Sequence, residues 1–303
     1  MDSKWKADLK LFIIFRVDLI LGQHLSQLWF AMMRDCSTVT VCDSFLAPAN
    51  TVGIIGGMSA GSSLKFLKKL VTWCSSTSGD GEGGAVPFVL CSDPTLHREM
   101  SAHEKNIVPC NFETERRDRT YIVNNLLQKR TFLEKAGVGC IVMPCHISHL
   151  WYDEVSRGCS IPFFHVGECV AKEIKEAKLK PAEAGSPLRI GVLGTSATLS
   201  DRIYQEKLQK QGFEVVIPDE ATMEQTVNPA IQALHREDIE GAKTLVRAAL
   251  QLLLVRAVTT IILASDDLRD LLPGDDPLLK KCVDPMDVLV RSIMKWAGSA
   301  GQG

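Results

Sequence analysis

The chain repeats one strand-and-turn pattern, and that repeat limits the fold more than any other feature. Thr51-Val52-Gly53-Ile54-Ile55-Gly56-Gly57-Met58-Ser59 reads as a buried strand entering a Gly/Ser turn, and Arg189-Ile190-Gly191-Val192-Leu193-Gly194-Thr195-Ser196 reads the same way. After helical stretches each unit meets a second apolar strand with a polar end. In the first half this is Cys140-Ile141-Val142-Met143-Pro144-Cys145-His146, and in the second Thr260-Ile261-Ile262-Leu263-Ala264-Ser265-Asp266-Asp267. Strands that are apolar throughout and alternate with helices call for α/β architecture, a parallel sheet with both faces covered and right-handed crossovers. Ligands of such sheets bind outside the carboxyl ends of the strands. Two similar halves facing each other set two strand ends across one cleft, with a thiol at one and a hydroxyl at the other.

Helical and loop signals fill in the remainder. Residues 1–49 read as an N-terminal extension outside the fold, 50–165 plus 287–303 as a first α/β domain, and 166–286 as a second. Ser62 to Trp73 reads as a helix with Leu64, Leu67, Leu70 and Val71 on one face. Ser75 to Gly84 has the composition of a surface loop, Val86 to Cys91 that of a strand, and Ile122 to Ala136 is a helix with Gly137 as its stop. Ala171 to Lys180 reads as a solvated helix and 181–187 as a linker. The second half then predicts a helix over 198–211, a strand over 213–217, helix from about 221 to 256, and a final helix from Asp287 to Ala297.

Bulk properties exclude several classes of function. A formal charge of −2 over 303 residues, without a basic stripe, gives no field that favours nucleic acid or an anionic membrane. The ten cysteines include no Cys-x-x-Cys and no Cys/His spacing of a metal site. Cys91 and Cys140 lie in apolar runs where a thiol acts as a small hydrophobe, so the reading is a reducing compartment without disulfides. Leu11 to Phe15 is apolar, but Arg16 and Asp18 interrupt it well short of the ~18 residues a membrane span needs. The expected location is the cytoplasm, with a plastid as the alternative if residues 1–49 are a targeting segment.

Gly53-x-x-Gly56-Gly57 departs from the dinucleotide fingerprint and is followed by no Walker lysine. A tight turn whose backbone N–H groups face a small anion, such as a carboxylate, fits it better. Cys145 follows Pro144 at a strand end, with His146 and His149 close behind. A strand end that enters a helix N-terminus lowers a thiol pKa from about 8.5. A poised thiolate serves as nucleophile or as general base.

Several blocks in order carry a family resemblance. They are Gly53 to Ser59, Asp118-Arg119-Thr120, Met143 to His149 with Tyr152-Asp153-Glu154, Gly194-Thr195-Ser196-Ala197-Thr198, and Asp284-Pro285-Met286-Asp287-Val288. From about Thr51 to Ala297 the chain resembles the aspartate/glutamate racemase superfamily, its plant-type branch above all. The resemblance implies two pseudo-symmetric domains, each with a parallel four-stranded-type sheet flanked by helices, and an active site in the cleft between them. It implies inversion at the substrate α-carbon by two cysteines on opposite faces, without pyridoxal phosphate or metal. Cys145 matches the first cysteine, and Arg119 an arginine for the distal carboxylate. His235 or Arg236 falls near a lysine position with the same task. Gly57, Met58 and Ser59, with His146, Ile147, Thr195 and Asp266, match the groups that hold the α-carboxylate. The ligand implied is a small amino acid or dicarboxylate, and the assembly a homodimer.

Two departures matter. Where the family has Gly-Cys-Thr-Glu, this chain has Ala264-Ser265-Asp266-Asp267, and a hydroxyl is far less acidic than a thiol. It donates a proton only if another group recharges it, and Asp266 and Asp267 are the candidates. After Cys145 stand His146 and Ile147 in place of Asn-Thr, which alters the carboxylate site or adds a third acid/base. Three functions follow: a racemase using Cys145 and Ser265, a one-thiol isomerase or decarboxylase of a small dicarboxylate, and a non-catalytic binding protein that keeps the fold.

Overall fold

The computed structural model describes residues 12–15, 47–57, 59–76, 86–93, 96, 112–181 and 185–300. Two wholly parallel sheets organise them. The first contains β1 (Phe12–Phe15), β2 (Val52–Gly56), β3 (Phe88–Ser92), β4 (Cys140–Val142) and β5 (Phe163–Phe164), in the order β1-β3-β2-β4-β5. The second contains β6 (Arg189–Gly194), β7 (Glu214–Val216), β8 (Thr260–Ala264) and β9 (Cys282–Val283), in the order β7-β6-β8-β9. The central strands β2 and β8 are buried along their whole length, as strands covered on both faces must be.

The repeat seen in the sequence is a repeat of position. In the first sheet Ile54 of β2 pairs with Val142 of β4, and in the second Gly194 of β6 pairs with Ala264 of β8. Each Gly-bearing turn therefore lies beside the strand that ends in a candidate reacting group. One expectation needs correction here. Phe12–Phe15 falls inside the segment read as lying outside the fold, yet it pairs in parallel with β3 as an edge strand. The remainder of 1–46 and the loop 77–84 lie outside the described residues.

Helix α1 (Ala60–Ser76) follows β2, and its phase differs from the expected one. Leu70 is buried as predicted, but Phe66 is its fully buried partner, while Leu64 and Val71 are 66% and 51% exposed. The turn sets this phase. A Cβ at Gly56 would lie 2.8 Å from Ser63 Oγ, so Ser63 packs on the turn and Phe66 and Leu70 follow on the same stripe. A neighbouring stripe faces the second sheet. Ser62 reaches Asp266, Lys65 reaches Asp270 at 2.7 Å, and Lys69 reaches Asp284 at 3.0 Å and Asp287 at 2.5 Å.

Helix α2 (Phe112–Lys135) begins ten residues before the predicted start. Its end is as expected: Gly137 adopts φ +75°, Gly137 N–H donates to Glu134 O, and Val138 N–H donates to Leu133 O, a Schellman motif. After α3 (Tyr152–Ser156) comes α4 (Val166–Glu176), which is amphipathic rather than solvated, with Ala171 and Ile174 buried. The helix predicted over 198–211 is split into α5 (Ser196–Ser200) and α6 (Gln205–Lys210). The stretch near 221–256 opens with a π turn at Met223–Val227 that runs into α7 (Asn228–His235), and a break at Glu237, φ +64°, separates this from α8 (Ile239–Val255). The short α9 (Asp266–Asp270) follows β8, and α10 (Pro285–Ala300) returns to pack on α1 and α4. One buried cluster runs through Phe66, Leu70, Ile190, Tyr204, Ile262 and Leu289, so both halves share a core. Among the described residues no helix is long and apolar enough to cross a membrane.

The corrected phase of α1 predicts that Phe66→Ala costs about 3–5 kcal/mol of unfolding free energy, whereas Leu64→Ala stays within about 0.5 kcal/mol. Urea denaturation of the two variants checks this, and the opposite ranking would restore the face centred on Leu64.

Candidate functional site

Cys145 and Ser265 stand at equivalent places, each just beyond a central parallel strand. Cys145 follows β4 after Met143 and Pro144, and its carbonyl accepts from Ser148 Oγ at 2.5 Å and from Ser148 N–H at 3.2 Å. These bonds close the entry into a 3₁₀ turn, Ile147–Trp151. Ser265 is the N-cap of α9, and its Oγ accepts from Leu268 N–H at 3.5 Å. Capping occupies a lone pair of that oxygen and leaves its proton to donate.

The residues that follow these two meet between the two sheets. His146 Nε2 lies 3.3 Å from Asp266 Oδ1, and His146 Nδ1 lies 2.5 Å from Tyr204 Oη. Ser62 Oγ donates to the other carboxylate oxygen of Asp266 at 2.5 Å. All four residues are buried or nearly so. Burial pushes the Tyr204 phenol well above its ordinary pKa, and the negative charges of Asp266, Asp284 and Cys145 add to this, so it keeps its proton. A phenol that donates to Nδ1 leaves the proton of a neutral His146 on Nε2, facing Asp266. The chain thus runs from Tyr204 through His146 and Asp266 to Ser62 with every member satisfied. Burial alone would raise the Asp266 carboxyl. The hydrogen bond from His146, the Ser62 hydroxyl and the Lys65 charge outweigh it and hold the group below its usual range.

The two turns flank this chain. Gly57 is buried at φ +103°, and a Cβ there would lie 2.4 Å from Asp93 O, so only glycine fits. Ser59 Oγ accepts from Ser62 N–H at 3.1 Å and opens α1. Thr195 caps α5, accepting from Thr198 N–H at 3.3 Å. Ile147 is half-buried in the turn after Cys145. Met58 lies outside the described residues.

Two expected residues stand apart. Arg119 is exposed on α2 and pairs with Glu154 at 2.5 Å, and His235 is exposed at the end of α7. The reason is local. Arg119 is exposed, and Glu154 of α3 takes its guanidinium. His149 is also reassigned from its place beside the thiol. Its Nε2 donates to Met143 O at 3.0 Å and its ring packs 4.7 Å from that of His165. Burial pushes its pKa well down, so it is a neutral brace for the strand end. His165 caps α4 through Nδ1, and burial takes it down to about 3. Cys140 and Cys169 are buried thiols raised by desolvation, the latter to about 11.

Three members of the site were missed in the sequence: Ser62, Tyr204 and Lys129. Lys129 is buried on α2, and its Nζ donates to Gly56 O at 2.9 Å. Ser62 carries a usable signal, because it opens a helix straight after a Gly turn. Tyr204 and Lys129 do not, since Tyr204 precedes α6 as its N-cap residue, Lys129 lies within α2, and each reaches its partner only through tertiary packing. Among the described residues no His/Cys/Asp/Glu group is arranged to hold a metal ion.

Comparison with known proteins places this geometry. A family model described as Asp/Glu/Hydantoin racemase matches residues 55–293. The broad specificity amino-acid racemase RacX of Bacillus subtilis (strain 168) is 28% identical over 188 residues, covering 61% of this chain and 71% of that protein. The glutamate racemase of Aquifex aeolicus (strain VF5) is 34% identical over 101 residues, 33% of this chain and 37% of its own. Among solved structures, the aspartate racemase of Picrophilus torridus superposes with a TM-score of 0.59 at 24% identity, over 82% of this chain and 94% of that one. An aspartate racemase homologue from Pyrococcus horikoshii OT3 gives 0.63 at 20%, over 82% and 99%. These two likenesses establish the shared two-sheet fold.

The Asp266 environment predicts a pH signature. A carboxyl whose folded pKa lies below its unfolded value of about 3.9 stabilises the fold above that value and loses the contribution as pH falls through the folded one. Asp266→Asn should therefore be less stable than the parent at pH 7, and the gap should close on acidification below about pH 4. Denaturation at a series of pH values measures it, and a gap independent of pH contradicts the assignment.

Proposed function

The chain belongs to the Asp/Glu/hydantoin racemase family, and on that premise we propose that it is a cofactor-independent amino-acid racemase of the aspartate/glutamate type. Cys145 exchanges a proton with one face of the substrate α-carbon and Ser265 with the other. The observation that carries this reading is the meeting of His146 and Asp266 at 3.3 Å. Each is the residue next to a candidate, so their contact sets the two strand ends opposite each other.

The chemistry follows from that placement. The Cys145 thiolate takes the α-proton, and the electron pair left on carbon spreads into the substrate carboxylate. Backbone N–H groups at the Gly57 turn stabilise the charge that develops there. The Ser265 hydroxyl returns a proton from the opposite face. The reaction draws on the chain's own groups and calls for no pyridoxal phosphate. A relative with broad specificity widens the range of amino acids worth testing beyond aspartate and glutamate.

The two faces are not equivalent. Asp266 is held ionised and saturated by His146 and Ser62, and Asp267 faces solvent beside Lys65. Neither is set up to pass a proton to Ser265. Delivery by Ser265 is therefore the slow step of this mechanism. The same observation favours a second reading, a one-thiol isomerisation or decarboxylation of a small dicarboxylate.

Incubation with L- and D-aspartate and glutamate in D2O tests the first reading. Exchange at Cα should fall by about 10²–10⁴-fold in Cys145→Ser. Ser265→Cys should raise the rate of inversion, because it supplies a proton donor of much lower pKa. Release of CO2, or a cis–trans product without α-exchange, would move the assignment to the one-thiol reaction. No exchange with any common amino acid would overturn the racemase reading.

A further inference from the structure

We propose that Lys129 is a positioning residue for the substrate carboxylate, fixing the peptide that presents the Gly57 N–H and placing positive charge beneath the bound anion. The inference rests on the racemase reading, in which that carboxylate lies at the Gly56-Gly57 turn.

Helix α2 holds the turn from below with two side chains one helical turn apart. Lys129 Nζ donates to Gly56 O at 2.9 Å, and Asn125 Nδ2 donates to Asp93 Oδ2 at 3.1 Å. The Asp93 backbone is the wall against which Gly57 packs. The two bonds therefore grip both sides of one tight crossing.

Peptide planarity turns this grip into an aim. In a trans peptide the carbonyl of residue 56 and the N–H of residue 57 point in opposite directions. Val52 N–H donates to Pro87 O on the β3 side, whereas Thr51 O accepts from Gly139 N–H on the β4 side. Alternation along a central parallel strand then directs even-numbered residues of β2 toward β3 and odd-numbered ones toward β4. With the Gly56 carbonyl held on the β3 and Lys129 side, the Gly57 N–H faces the β4 side, where the strand leads to Cys145. A donor pinned in that direction is a preorganised dipole for an anion.

The charge of Lys129 is itself conditional. The titratable groups that act on it are Cys91 of β3 and Asp93 just beyond that strand, while Gly56 O from β2 accepts its hydrogen bond and Asn125 lies on its own helix. Burial lowers its pKa to about 8, against the opposing pull of Asp93 and Cys91. The ammonium is therefore present at neutral pH and lost as pH rises through about 8. An anion at the turn favours the charged form, so by linkage its affinity falls over the same range.

Succinate is a suitable probe because it has no amino group to titrate. Its binding is measured by calorimetry from pH 6.5 to 9.5 on the parent and on Lys129→Met. The parent should bind about tenfold more tightly at pH 7 than at 9.5, the change expected when the anion shifts one buried group by about one unit. Lys129→Met should bind about tenfold more weakly at pH 7 and lose that pH dependence. Any other titrating group is common to both proteins, so the difference isolates Lys129. Should Lys129→Met fail to fold, ¹³Cε-lysine NMR of the parent replaces it. One lysine should titrate near pH 8, with a midpoint that rises on adding succinate. Equal affinity and pH dependence in both proteins, an unmoved midpoint, or no succinate binding by the parent overturns the proposal. Amino-acid α-exchange decides the racemase reading separately, and its loss alongside a Lys129-dependent succinate response would remove that reading while leaving this one.

Discussion

The hydrogen bond between His146 and Asp266 is the constraint on which the site depends. Each residue follows the end of a central parallel strand, one in each sheet, so a single contact fixes how the two ends face. Ser62 and Tyr204 extend it on either side, and each supplies the group the next one needs. A buried polar chain of this kind stabilises only when complete, because any orphaned member bears the full cost of its lost solvation. The seam of Lys65 and Lys69 against the acids of the second half adds charge pairing at its solvated rim, where each pair is worth little by itself.

Completeness at this junction has a chemical consequence. A carboxylate that accepts from both a histidine and a serine is held ionised, and a histidine with both nitrogens engaged is a strut rather than a free acid. The junction therefore ties the two strand ends together and is itself saturated. Cys145 and Ser265 differ in acidity far more than their symmetric positions suggest. The fold duplicates the place for a reacting group, while the chemistry at the two places is unequal.

Much of this was legible in the chain. Burial on both faces makes a parallel strand apolar throughout, so β2, β6 and β8 could be read nearly to the residue, and Gly137 marked the end of α2 through its positive φ. The phase of α1 was not legible, because Leu64 and Phe66 are equally apolar and only contact of Ser63 with the turn selects between them. The strand at Phe12–Phe15 was hidden by its short length and by the charged residues after it. Cys145, His146, Ser265 and Asp266 could be named as candidates because chemistry and strand ends coincide. Tyr204 and Lys129 could not, since their partners lie 58 and 73 residues away and no local pattern announces such a pairing. Arg119 shows the converse, a residue type suited to a carboxylate that pairs instead with Glu154.

The return of α10 to cover α1 and α4 gives the chain a temporal order. Residues 285–300 supply Val288, Leu289 and Ile293 to the cluster that contains Phe66 and Leu70, yet they are synthesised after both sheets. During translation α1 must leave that apolar surface uncovered while more than 200 residues are added, or cover it temporarily with something else. The nascent first half is thus an incomplete body with an exposed flank, and the arrival of one late helix converts two waiting halves into a single folded unit.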